Sequence, residues 1–177
     1  MKEKIDIMDY APQILKANKR GILVNTNGDK FNAMMISFGS LGTIWGKPSF
    51  TIYVREHRYT KAQLDKTGEF TLSLPIGKPI PQIVKVCGMQ SGHNIDKVAA
   101  AGLTLEEPEV NHTPGIREYP LTLECRILYK QTHNLDAIPT TIREKEYPQD
   151  IDGSNPTVNR DPHTEYIAEI VSAYIIR

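Results

Sequence analysis

The densest group of side chains able to do chemistry is Arg55-Glu56-His57-Arg58-Tyr59-Thr60-Lys61. Three cations and a histidine precede or open a helix in which Thr60 and Gln63 form the pattern of a capping box. A helix start offers unpaired N–H groups and the positive end of its dipole. With Arg and Lys beside it, an anion is favoured, and a phosphate is the natural guest. The competing reading is that Thr60 only caps the helix and the cations form a solvated rim. A second candidate runs from Cys87 to Lys97, Cys-Gly-Met-Gln-Ser-Gly-His-Asn-Ile-Asp-Lys. Gly88 and Gly92 permit close backbone approach, Ser91 offers a hydroxyl, and Lys97 projects from the first turn of the next helix. The Gly-Lys-Ser/Thr ending of a P-loop is missing, and no Gly-x-Gly-x-x-Gly fingerprint occurs in the chain. A plain loop before a capped helix accounts for this spacing equally well.

Other chemistries find little support. His57, His93, His112, His133 and His163 stand singly, without ligand spacing, so no metal site is expected. Cys87 and Cys125 are the only cysteines, which argues against a disulfide framework. Cys125 falls on the apolar face of its strand and is expected to be buried. Cys87, beside a glycine, is expected to be more exposed but has no thiolate-stabilising partner. Ser37 and Ser40 lack the Gly-x-Ser-x-Gly elbow. Glu106, Glu107 and Glu109 read as a solvated acidic patch, and Trp45, between Gly42 and Gly46, as a core or interface anchor.

These residues need a scaffold, and the chain of 177 residues is long enough for one domain, taken as 1–177, with a real core. Its 21 Lys plus Arg balance 21 Asp plus Glu, which argues against a general nucleic-acid or anionic-membrane binder. A 40% hydrophobic share excludes disorder. No apolar run approaches the ~20 residues of a membrane span, and Met1 to Tyr10 has no signal-peptide core, so the expected location is the cytoplasm.

Strands dominate the elements. Gly21 to Thr26 is β-prone, Asn27-Gly28-Asp29 reads as a hairpin turn, and Phe31 to Ser37 returns. Ser49 to Arg55 alternates with Phe50, Ile52 and Val54 on one face, and Glu69 to Leu74 alternates likewise. Leu121, Leu123, Cys125 and Ile127 mark another strand, and Ile167 to Ile176 a long last one. Helices are read as few and short: one opened by Thr60 and stopped by Gly68, one over Pro81 to Cys87 ended by Gly88, and Ile95 to Ala101 capped by Asn94 and ended by Gly102. Residues 143–162, with Pro148, Gly153, Pro156 and Pro162, read as a long surface loop, placed before His163 to gate the site. The fold class expected is α+β, mainly β, a barrel-like sheet with short peripheral helices.

The segments Asn32-Ala33-Met34-Met35-Ile36-Ser37-Phe38-Gly39-Ser40, Thr51 to Arg55 leading into Arg58-Tyr59-Thr60, Cys87-Gly88, Ser91-Gly92 before Asp96-Lys97, Pro120 to Cys125, and Asp161-Pro162-His163-Thr164 occur in an order that resembles the flavin reductase-like family. The resemblance runs from about Ile14 to Tyr174. It implies an FMN-binding split barrel shared with flavoredoxins, and a homodimer with FMN between subunits. It places Asn32, Ala33, Met34, Met35 and Ser37 against the isoalloxazine. Arg55, Arg58, Tyr59, Thr60, Ser91, Gly92 and Lys97 fall around the phosphate and ribityl chain, and His133 near the flavin edge. The activity implied is transfer of reducing equivalents from NAD(P)H to flavin; the alternative is an FMN-binding electron carrier reduced by a redox protein partner. The family's reductases often carry Gly-Asp-His before the last strand, with the histidine near the nicotinamide. Here Asp161-Pro162-His163 stands there, with Ala168 at a position commonly glycine, leaving His163 as the candidate catalytic residue on the nicotinamide side.

Overall fold

The computed structural model describes residues 1–152 and 159–177. In chain order the elements are β1 (Lys2–Lys4), α1 (Ile7–Arg20), β2 (Ile22–Asn27), β3 (Phe31–Ile36), β4 (Gly39–Ile44), β5 (Lys47–Arg55), α2 (Tyr59–Thr67) and β6 (Glu69–Leu74). Then come α3 (Pro81–Met89), α4 (Lys97–Ala101), the short pair β7 (Leu105–Glu106) and β8 (Gly115–Ile116), and β9 (Leu121–Thr132). A 3₁₀ turn (Leu135–Ala137), α5 (Thr140–Glu146) and β10 (His163–Ile176) complete the chain.

The main antiparallel sheet has the order β3-β2-β6-β9-β10-β5-β4, with β1 added along the end of β10. Val24 of β2, Phe50, Ile52 and Val54 of β5, Phe70 and Leu72 of β6, and Leu123 of β9 meet in one core. Strands far apart in the sheet order therefore face each other, and the sheet curls without pairing β3 to β4. Alternation fixes which residues do this, because a period of two sends every second side chain inward. The opposite face of β2 and β3 uses the intervening residues: Leu23 and Ala33 pack with Ile83, Val86 and Cys87 of α3 and with Ala101. That smaller cluster holds the connection between α3 and α4 against β3.

Several helix readings need correction. α1 is a long helix with no sequence forecast, and Pro12 inside it is why the pattern is hard to read. Asp6 caps it by accepting from the Met8 N–H at 2.8 Å, and Gly21, at φ 112°, ends it. α3 does not stop at Gly88 but runs through it to Met89, because burial of Ile83, Val86 and Cys87 outweighs the glycine's weak propensity. Asp96, not Asn94, caps α4, accepting from Val98 N–H (2.9 Å) and Ala99 N–H (3.4 Å). Glycine-punctuated Gly39 to Ile44 forms strand β4, paired with β5. The long loop is shorter than expected at its N-terminal end, and the last strand starts four residues before Ile167. Arg143 to Glu146, good helix formers, belong to α5, and β10 begins at His163 because its pairing with β5 continues to His163 opposite Arg55. Gly153 and Pro156 lie outside the described residues.

Candidate functional site

A cavity of about 840 Å³ opens between the ends of β3 and β5, the start of α2, the α3–α4 connection and the segment just before β10. Met34, Met35 and Ser37 line it from β3 and the residue beyond. Asn32 is buried beneath it and donates from Nδ2 to Thr60 Oγ1 at 3.0 Å. Its Oδ1 has no hydrogen-bond partner among the described residues. Gly92 lies directly against that atom: a Cβ there would stand 2.2 Å from Asn32 Oδ1 and 2.7 Å from Tyr59 Cδ1. Only glycine allows this approach. Ala33 does not line the cavity; its methyl group sits in the second core and its carbonyl accepts from Lys97 Nζ at 2.8 Å.

The start of α2 differs from the capping-box forecast. Arg58 is the N-cap residue, in extended conformation, and no side chain caps the helix. Thr60 Oγ1 instead accepts from Asn32, and Gln63 Oε1 turns away to accept the Gly28 N–H at 2.6 Å. The Lys61 N–H bonds to the Arg58 carbonyl at 3.0 Å, and no acceptor among the described residues takes the N–H of Tyr59 or Thr60. Two free donors at a positive helix end therefore border the cavity, the arrangement that binds anions. Asp65 fixes this helix by accepting from Lys61 (2.8 Å), Lys130 (2.9 Å) and Tyr166 (3.0 Å). Burial raises the Asp65 pKa, but those three hydrogen bonds prevail and hold it down to about 2.

The cations divide into two kinds. Arg55, 7% exposed, gives its guanidinium to the carbonyls of Glu146 (2.8 Å), Asp161 (2.8 Å) and Asn159 (3.2 Å), and stacks over the Tyr147 ring at 4.9 Å. Burial lowers its pKa. Among the described residues Arg58 has a single long contact, to Asn159 Oδ1 at 3.3 Å, which leaves its other donors beside the open helix start without a partner there. Lys97 is 3% exposed, and burial pushes its pKa down to about 8, with the neighbouring Arg58 charge adding to the fall. Ser91 lines the same wall and accepts the His93 N–H at 3.2 Å. Cys87 is buried rather than exposed, packed into the second core, and burial raises its thiol pKa. Trp45 is no core anchor: it is 69% exposed, at the tip of the β4–β5 hairpin with φ 49°.

The far end of the cavity is aromatic. His163 lies edge-on to Phe38, with ring centroids 5.4 Å apart, and Phe38 stacks on Tyr53 at 6.0 Å. The His163 Nδ1 is 2.7 Å from the Tyr147 hydroxyl. Burial, followed by the Arg55 charge, pulls the His163 pKa down to about 4, so the ring is neutral near pH 7. His133 does not line the cavity; it stands behind Tyr53 at 5.6 Å and faces Glu165 at 3.8 Å. Sequence reasoning missed Phe38, Tyr53 and Tyr147. Phe38 and Tyr53 lie inside the Asn32 to Ser40 and Thr51 to Arg55 segments, whereas nothing local marks Tyr147. Among the described residues no group of His, Cys, Asp or Glu is arranged to hold a metal, and no helix is long and apolar enough to cross a membrane.

The chain matches the model of the flavin reductase like domain family over residues 16–177 and belongs to that family. Its fold is similar to flavoredoxin of Desulfovibrio vulgaris (Miyazaki F), with a TM-score of 0.65 at 22% identity, covering 90% of this chain and 70% of that one. It is similar also to an FMN-binding domain of a flavin reductases-like enzyme from Shewanella baltica OS155, with a TM-score of 0.65 at 16% identity, covering 99% and 77%. A flavin reductase with a split barrel domain from Shewanella frigidimarina NCIMB 400 gives 0.66 at 16% identity over 97% and 75%. The open curled sheet is thus a split barrel. A protein of Archaeoglobus fulgidus is 30% identical over 77 residues, and the match spans 44% of this chain and 43% of that protein.

The residues present fit FMN on their own chemistry. An uncapped helix start beside Arg58 and Lys97 suits a phosphate, Asn32 carries an orphaned acceptor, and Gly92 leaves a cradle that a side chain would fill.

Proposed function

We propose that this chain binds FMN and acts as a flavin oxidoreductase that takes reducing equivalents from a reduced nicotinamide. The observation that carries the reading is the start of α2, where the free N–H groups of Tyr59 and Thr60 and the uncommitted donors of Arg58 meet at a cavity large enough for a mononucleotide. When bound, the flavin supplies the hydride and electron chemistry, and the protein supplies position and electrostatics. Arg58 and the two N–H groups hold the phosphate, with the Ser91-Gly92 turn alongside and Lys97 adding charge from beneath. Met34, Met35 and Ser37 form the wall for the ring, and Asn32 ties that wall to α2 through Thr60. Arg55 acts differently, binding the segment before β10 to the end of β5 rather than reaching for phosphate. His163 closes the aromatic end, and His133 backs Tyr53.

A homodimer in the cytoplasm belongs to the same reading. The apolar groove between Ile7, Met8 and Leu15 of α1 and Leu41 of β4 supports a second copy as its cover, and two free, buried cysteines accord with a reducing compartment. The alternative, an electron carrier served by a redox protein, is favoured by Phe38 and Met89, 51% and 80% exposed, one on the cavity wall and the other next to it in the chain. Stopped-flow mixing of the FMN-loaded protein with NADH and with NADPH separates the two. Rapid bleaching of the flavin supports the reductase; no bleaching with either nucleotide refutes it in favour of the carrier.

A further inference from the structure

We propose that Tyr147 is a positioning residue that donates its hydroxyl proton to His163 Nδ1 and so presents His163 Nε2–H to the cavity as a neutral hydrogen-bond donor. The proposal rests on the oxidoreductase reading of the same cavity but concerns a residue that reading does not use. Tyr147 follows α5, is 7% exposed, and its hydroxyl has one partner among the described residues, His163 Nδ1 at 2.7 Å. A buried phenol needs an acceptor for its proton, and Nδ1 is the one in reach among the described residues. The ring proton must then sit on Nε2, which has no partner among the described residues on a side chain that lines the cavity.

Arg55 holds the tyrosine in place from the other side. Its guanidinium lies 4.9 Å from the Tyr147 ring centroid while bonding the carbonyl of Glu146, the preceding residue. Burial and the groups around the imidazole disfavour an imidazolium: Arg55 from β5, His133 after β9 and Arg58 at the start of α2 oppose it, against Asp161, which favours it. Asp161 Oδ2 is itself occupied, accepting from His57 Nδ1 at 2.7 Å and the His57 N–H at 2.9 Å, while its buried Oδ1 has no partner among the described residues. Burial keeps the Tyr147 phenol protonated, although Arg55 pulls the other way. His163 is therefore no proton shuttle near neutral pH. It recognises a hydrogen-bond acceptor, and the substrate class that fits this end of the cavity carries a carbonyl or carboxamide oxygen on a planar ring beside Phe38 and Tyr53.

Histidine-labelled protein examined by ¹⁵N NMR between pH 5 and 8 tests the pair directly. The expected result is a neutral His163 with Nε2 protonated and Nδ1 bare throughout, and in Tyr147→Phe a displaced Nδ1 resonance as the ring proton redistributes between Nδ1 and Nε2. Protonation of Nδ1 in the wild type, or an Nδ1 resonance unmoved by Tyr147→Phe, overturns the proposal. The phenylalanine keeps the ring under Arg55, so loss of folding is not expected; a Tyr147→Leu variant, folded or not, is not needed for the comparison. In flavin reduction by NADH, Tyr147→Phe should raise the half-saturating concentration by roughly three- to tenfold, the worth of one hydrogen bond, with the limiting rate held within about twofold. An unchanged half-saturation overturns the positioning role. If the wild type holds no FMN, the oxidoreductase reading fails, and the ring resonances still decide the role of Tyr147.

Discussion

Arg55 and Arg58 lie three positions apart and carry the same charge, yet their surroundings demand opposite outcomes when each is truncated. Arg58→Ala removes one long contact to Asn159 from the folded protein, so its stability should change by less than about 1 kcal/mol. In the complex the same change removes a charge-assisted bond to phosphate, worth about 1.5–3 kcal/mol, and weakens FMN binding by roughly 10- to 150-fold. Arg55→Ala leaves three carbonyls without their donor and empties the space over Tyr147. That should cost about 3–5 kcal/mol of stability and lower the melting temperature by roughly 6–20 °C for a chain of this size. The assays are calorimetric titration with FMN and thermal unfolding of the FMN-free protein. Wild-type affinity in Arg58→Ala, or an unchanged melting temperature in Arg55→Ala, would refute the division of labour.

Gly92→Ala should weaken FMN binding at least tenfold and destabilise the protein by about 1–3 kcal/mol, because its methyl group collides with Asn32 Oδ1 and Tyr59; titration and melting together check this. Glu124 is fully buried and accepts the N–H groups of Glu109 (2.6 Å), Val110 (2.7 Å) and Asn111 (2.9 Å). Glu124→Gln turns one acceptor into a donor facing donors and should cost about 2–4 kcal/mol in urea unfolding, with FMN affinity unaffected. Lys97 binds its proton less tightly folded, at about 8, than unfolded, at 10.5, so the unfolded chain holds more protons between those values and stability should rise across that window by up to about 3 kcal/mol. Lys97→Met should flatten that rise. A bound phosphate restores the lysine's proton, so FMN binding near pH 8 should take up protons, measurable by titration in buffers of different ionisation enthalpy.

Much of this was legible because it is local. Phe50, Ile52 and Val54, and the Asn27-Gly28 turn, declare strands and a hairpin through neighbours two or three residues away, and the cavity wall from Asn32 to Ser37 follows from them. The anion site was legible as charge and helix start, but its cap was misassigned. Thr60 looks like a cap from sequence alone, whereas the competing donor is Asn32, on β3. The role of Arg55 was illegible for the same reason: its partners, Glu146, Asn159 and Asp161, are distant in the chain and are backbone carbonyls, which carry no residue identity. Tyr147 and His163 form a pair only after α5 and β10 are folded beside each other. Pro12 hid α1, since its helical context depends on Ile14 and Ala17 finding the core.

The central claim is that FMN occupies the cavity with its phosphate at the start of α2, and ³¹P NMR of the protein titrated with FMN tests it most directly. The account predicts saturation at one FMN per chain, a displaced phosphate resonance, and loss of that displacement in Arg58→Ala. A phosphate resonance identical to that of free FMN at saturating protein would contradict it.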